Sequence, residues 1–250
     1  MPPQPRLRTP FADALDLPPP FTAVSLRESG DAFAHAIRIA AEAGAGTLVH
    51  VGRFDLVEFA VILEPDEPLR TARRAFYAGM VALYDALLVQ APPEKPITID
   101  WPGTVRVDGG LVGGGRLAWP EGAETEPPAW LVFGAMIRTV AMSDQEPGLR
   151  PLTAALEEEG FEDLGSGRLV ESFARHLMVA TDAWQDRGFD AVAREYLPHL
   201  TPEKGVRRDI DETGDLLARR MGKVEAERRR LAERITAPDW FDPATGGPRL

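Results

Sequence analysis

One stretch constrains the fold more than any other: Asp100-Trp101-Pro102-Gly103-Thr104-Val105-Arg106-Val107-Asp108-Gly109-Gly110-Leu111-Val112-Gly113-Gly114-Gly115-Arg116-Leu117. Pro102 has no N–H to give to a ladder, so the Trp-Pro pair closes a short extended run. Val105-Arg106-Val107 then alternates as a strand, and Asp108-Gly109-Gly110 suits a tight hairpin turn. The return strand carries three consecutive glycines. Glycine inside a strand marks a bulge or bend, or a place where another group comes close to the backbone. The residues leave both open: a plain bend, or a pocket wall in which Gly113 to Gly115 line a concavity.

Around this hairpin the periodicity predicts an α+β fold. Gly30 to Ala43 reads as a helix with Phe33, Ile37 and Ala40 on one face, stopped by Gly44 and Gly46. Thr47 to Val51 and Leu56 to Leu63 read as strands around an Arg53-Phe54-Asp55 turn. Pro68 opens a long helix to about Gln90, whose stripe runs through Phe76, Met80, Leu83 and Leu87 before Pro92-Pro93 ends it. Further strands are predicted over 97–101, 104–108, 111–119 and 130–141, and helices over 152–159, 169–185 and 189–196. Hairpins outnumber strand–helix–strand units, which implies a mixed, largely antiparallel sheet flanked by helices. The division expected is a Pro-rich N-terminal segment (1–21), an α+β domain (22–200) and a small C-terminal hairpin and helix extension (201–250). That extension reads as a hairpin of 206–210 and 215–219, a charged helix over 223–235, and a tail docked by Trp240 and Phe241.

Composition removes several function classes. A net charge of -11 argues against a general binder of nucleic acid or anionic membranes. The chain has no cysteine, hence no disulfide, thiolate metal site or cysteine nucleophile. Its four histidines, His35, His50, His176 and His199, lack metal-ligand spacing, and no metal site is expected. Only Lys95, Lys204 and Lys223 stand against 25 arginines, so few lysines are available for catalysis. No apolar run has the length of a signal peptide or membrane span, and the expected location is the cytoplasm.

The order of elements and the Trp-Pro hairpin resemble the biotin/lipoate protein ligase family over roughly residues 20–200. That family carries Lys-Trp-Pro-Asn-Asp before a hairpin, Lys-Leu-Ala-Gly-Ile on the return strand, and Gly-Ile-Gly-x-Asn on a later strand. Here Asp100-Trp101-Pro102-Gly103-Thr104, Gly110-Leu111-Val112-Gly113-Gly114 and Val132-Phe133-Gly134-Ala135-Met136-Ile137-Arg138 stand in those places. Val206 to Leu217 is similar to a piece of the small C-terminal β domain of biotin ligases. The resemblance implies a fold built on that catalytic domain. It also implies chemistry in which a carboxylic acid reacts with ATP to an acyl-adenylate and passes to a lysine of a carrier protein. Such chemistry needs cations where two anions approach.

The motif cations differ. Gly110 and Asp100 stand where the family has lysines, Gly103-Thr104 replaces its Asn-Asp pair, and Arg138 replaces the last asparagine. The arginine-rich glycine loop expected over 43–59 holds Gly44, Gly46, Gly52 and one arginine, Arg53. The cysteine thioester of the related octanoyl transferases is excluded by composition. The reading adopted is a divergent relative that binds a small carboxylate or acyl ligand, or a lipoyl or biotinyl carrier protein, with weak or absent adenylation. The alternative is an active ligase using ATP with magnesium and biotin or lipoate, with arginines in place of the motif lysines. An unrelated α+β protein with a glycine-rich hairpin also stays open. Residues expected to line the pocket are Thr47, His50, Arg53, Trp101, Gly113, Gly114, Arg116 and Arg138; no catalytic residue is assigned.

Overall fold

The structure is a computed structural model that describes residues 15–142, 152–162 and 165–249. Most of the Pro-rich lead-in, residues 1–14, lies outside the described residues. A seven-stranded sheet is its backbone, in the order β1-β2-β3-β7-β6-β5-β4. These are β1 (Thr22–Leu26), β2 (Thr47–Val51), β3 (Leu56–Leu63), β4 (Ile97–Asp100), β5 (Thr104–Val107), β6 (Gly110–Ala118) and β7 (Leu131–Arg138). All pairs are antiparallel except β1 with β2. The expected α+β class is present, and the four strands expected over 97–141 lie side by side as β4, β5, β6 and β7. β1 is an addition: Thr22-Ala23-Val24-Ser25-Leu26 is short and of mixed polarity, and it gave no strand signal.

The central strands β3 and β7 are almost continuously apolar because helices cover both faces. One face carries α1 (Ala32–Ala43), which Asp31 caps by accepting from the Ala34 N–H at 2.8 Å. The other carries α3 (Ala75–Leu88) and α4 (Ser166–Arg187), followed by α5 (Phe189–Tyr196). Phe76, Leu83 and Leu87 are fully buried, as the stripe requires. The long helix expected from Pro68 is broken at Arg73 and Arg74 into α2 (Leu69–Ala72) and α3. Gly79 lets α3 press onto the sheet, since a Cβ there would sit 2.5 Å from the Phe133 ring. Phe173 of α4 lies over the two central strands, its ring tilted against Phe59 at a centroid distance of 4.4 Å and stacked on Phe133 at 5.7 Å.

One expected helix is absent and another is reduced to its last turn. Residues 152–159 form turns, because this segment is held along the start of β6: Leu111 donates to the Leu152 carbonyl and Ala154 to the Leu111 carbonyl, each at 2.9 Å. Residues 223–235 split into β10 (Glu227–Arg229) and the short α6 (Leu231–Ile235). β10 joins β8 (Val206–Ile210) and β9 (Leu216–Arg220) in a three-stranded sheet. Arg228 finds Asp211 and Asp215 across that sheet, and those ion pairs replace the helical i,i+4 pairs the charge pattern suggested. Ile210, Leu216, Leu231 and Ile235 extend the main core. The tail ends in a small hairpin of β11 (Phe241–Asp242) and β12 (Gly247–Pro248).

Candidate functional site

The glycine run is a β-bulge and a close approach at once. Val105 pairs with Gly113 and Arg106 with Leu111, so Val112 is the extra residue. Gly113 has φ +154°, and a Cβ on it would fall 1.9 Å from the Met136 carbonyl oxygen. Its neighbours alternate between faces. A Cβ on Gly115 would strike Met80 on the α3 side, at 2.5 Å. A Cβ on Gly114 would strike the Gly103 carbonyl at 2.1 Å and the Trp240 indole at 2.6 Å. The space beside Gly114 is thus filled by a side chain rather than open, which corrects the expectation of an open concavity along Gly113 to Gly115.

On the α1 side, cross-strand register builds a chemically mixed floor. Leu56 lies beside Arg138, Glu58 beside Met136, which lies beside Gly114, and Gly134 beside Arg116. Gly134 admits the Phe33 ring of α1, since a Cβ there would lie 2.4 Å from it. Arg116 is the chemical centre. Its guanidinium sits between two aromatic rings, 4.1 Å from the Phe33 centroid and 4.7 Å from that of Phe241. It lies 3.6 Å from Asp31, too far for a hydrogen bond, and its buried Nε and Nη2 have no hydrogen-bond partner. Burial lowers its affinity for a proton, while Asp31 and Glu58 oppose that loss. Glu58 is itself buried in the middle of β3 and accepts the Ala32 N–H at 2.7 Å. Burial pushes its carboxyl above the usual value, and the helix N–H works against the push.

The C-terminal segment roofs this floor. Trp240 is fully buried against Gly114, and its Nε1 donates to the Gly115 carbonyl at 3.0 Å. Leu56, Leu111, Met136 and Trp240 form a small apolar cluster apart from the main core, with Phe241 packed against it. Arg138 donates to the carbonyls of Pro248 and Arg249, at 2.7 and 3.2 Å.

Of the residues singled out from sequence, Gly114, Arg116 and Arg138 meet on this face, with Gly113 as the bulge beside them. Arg53 lies nearby but forms an ion pair with Asp55 at 2.6 Å, which raises the guanidinium and lowers the carboxyl. Thr47 donates to the Ala43 carbonyl at the far end of α1. His50 bonds the Ser25 hydroxyl at 2.7 Å on the opposite face, beside Phe59 in register. Trp101 donates to Tyr77 at 3.0 Å, on the α3 side. Sequence reasoning missed Glu58, Asp31 and Phe33, and read Trp240 and Phe241 only as anchors of the tail. A lone carboxylate inside Leu56-Val57-Glu58-Phe59-Ala60-Val61 was the available signal.

The motif positions have new partners. Asp100 accepts from Arg106 at 2.6 Å and from the Thr201 hydroxyl at 2.7 Å. Gly110 has no room for a side chain, because a Cβ would lie 2.7 Å from that of Ala154. Lys95 is bound to Asp108 and Glu159, at 3.0 and 2.8 Å. Among the described residues no group of histidines and carboxylates fits a metal ion, and no helix is long and apolar enough to cross a membrane.

Comparison with known proteins adds the lineage. The chain is similar to a biotin protein ligase-like protein of unknown function from Silicibacter sp. TM1040, with 26% identity, a TM-score of 0.77, and 88% of this chain and 98% of that one covered. It shares a fold with the biotin protein ligase of Aquifex aeolicus solved with biotin and ATP: 13% identity, TM-score 0.57, 83% and 98% covered. The Leishmania major enzyme solved with biotin gives 14%, 0.52, 85% and 100%. No curated protein matches the sequence. The model of the Biotin/lipoate A/B protein ligase family matches residues 17–198, most of the chain, and the chain belongs to that family.

Proposed function

We propose that this chain binds a small carboxylate or acyl ligand, free or on a lipoyl or biotinyl carrier protein, on its glycine-lined face, with weak or absent adenylation. The observation that carries the reading is Arg116: a buried guanidinium whose Nε and Nη2 lack hydrogen-bond partners, with Asp31 no nearer than 3.6 Å. A desolvated cation with unmet donors is a costly arrangement that an oxyanion relieves, and guanidinium binds carboxylate in a fork. The flanking Phe33 ring suits an apolar body attached to that carboxylate.

The positions that carry lysine elsewhere in the family speak against adenylation. Asp100 is negative and committed, and the volume beside Gly110 belongs to Ala154. The residues present do not fit a nucleoside triphosphate held at that hairpin. An active enzyme that enlists arginines is the competing reading, and Arg116 is the residue that favours it. Biotin, lipoate and octanoate are the probes that test ligand binding. The expected outcome is amide shifts at Gly114 and Arg116 on titration, and at least about a tenfold loss of affinity in Arg116→Ala. Equal affinity in that variant would overturn the assignment.

A further inference from the structure

We infer that residues 236–249 form a lid that closes the acyl site from within the same chain, with Trp240 standing in the ligand's place; this rests on the proposed carboxylate site. Within the segment only Trp240 and Pro248 are buried. The apolar cluster that Trp240 completes is separate from the main core, so its release leaves that core intact. Its regular structure is a hairpin of two residues per strand. Besides the Trp240 bond to the Gly115 carbonyl, its side-chain ties to the rest of the chain are few: Arg138 to the Pro248 and Arg249 carbonyls, the Thr236 hydroxyl to the Ala232 carbonyl at 3.2 Å, and an exposed ion pair of Arg234 with Asp239 at 3.3 Å. Segments with two buried residues and few hydrogen bonds to the body open at a small fraction of the global cost.

The closed state also holds the reason to open. Phe241 covers Arg116 while supplying no acceptor to its unmet donors. An acid with a ring or alkyl body replaces both contacts: its apolar part takes the indole's place over Gly114, and its carboxylate takes Nε and Nη2 of Arg116. Such a ligand binds only the open state, so it shifts the equilibrium by its differential affinity, and its apparent affinity is reduced by the fraction of open chain.

The chain lacks cysteine, so a single thiol can report opening. Met136→Cys places it on the floor, under Trp240. In the intact protein this thiol is expected to react with a soluble thiol reagent about 100-fold faster than global unfolding, through local opening. Trp240→Ala is expected to bind biotin, lipoate or octanoate at least about tenfold more tightly than the parent chain. Arg234→Ala, which removes the ion pair between α6 and Asp239, is expected to speed labelling without touching the buried indole, and it serves if Trp240→Ala fails to fold. Labelling at the global unfolding rate in both the Met136→Cys protein and its Arg234→Ala derivative would overturn the lid. Equal probe affinity with and without Trp240 would overturn the competition. Rapid labelling with no probe bound by either protein would leave a moving lid and refute instead the acyl-ligand reading.

Discussion

Gly113 shows why a residue's chemistry is set by what lies opposite it. With φ +154° and Met136 O where a Cβ would be, it tolerates no side chain. Gly113→Val is therefore expected to destabilise the fold by about 3 kcal/mol or more, as strain and overpacking combine, rather than merely block a pocket. Denaturant unfolding monitored by circular dichroism checks this. His50 carries a different expectation. Burial holds its imidazole below the usual 6.5, so the folded chain binds fewer protons there than the unfolded one. Its contribution is complete above the unfolded value and is lost as pH falls through the depressed folded value. The unfolding free energy should fall between about pH 7.5 and pH 5.5, and fall less in His50→Gln. Titrations at the two pH values, compared between the proteins, isolate His50 from the other titrating groups. Arg116 and Arg138 were legible in the sequence as cations near a glycine run. Asp31 and Phe33 were not, because their role comes from a helix start that only tertiary packing brings over β6 and β7.

Elements with strong periodicity and clear punctuation were readable: β2 and β3 lie where alternation and the Arg53-Phe54-Asp55 turn placed them. The errors have a common cause. Residues 152–159 and 223–229 have helix-like composition, but long-range partners capture their backbones, Leu111 in one case and β9 in the other. The same long-range logic docks the C-terminal sheet. Tyr77 of α3 donates to the Gly214 carbonyl at 2.6 Å and accepts from Trp101. Tyr77→Phe removes both bonds within a buried site and is expected to cost about 1–3 kcal/mol. Hydrogen exchange should show the loss concentrated in β8 and β9, and a uniform loss across the seven-stranded sheet would contradict this docking role.

At the scale of the whole molecule, a ligase-family sheet is retained while its cation set is rearranged. The family lysine position on the hairpin is closed by Ala154, the other motif lysine is an aspartate serving Arg106 and Thr201, and the buried cations Arg116 and Arg138 lie under the chain's own tail. The family was legible in the Trp-Pro hairpin and the glycine pattern; the roof was not, because nothing local to Trp240 says which of several apolar surfaces it covers. The most direct test is biotin- or lipoate-dependent ATP–pyrophosphate exchange, measured on the parent chain and on Trp240→Ala so that a closed lid cannot hide activity. Loss of one preorganised cation costs about 10²–10³ in rate, so exchange in both proteins is expected below about one hundredth of that of an active ligase assayed alongside. Exchange at a comparable rate in either protein would contradict the account and make Arg116 a replacement for the missing lysines.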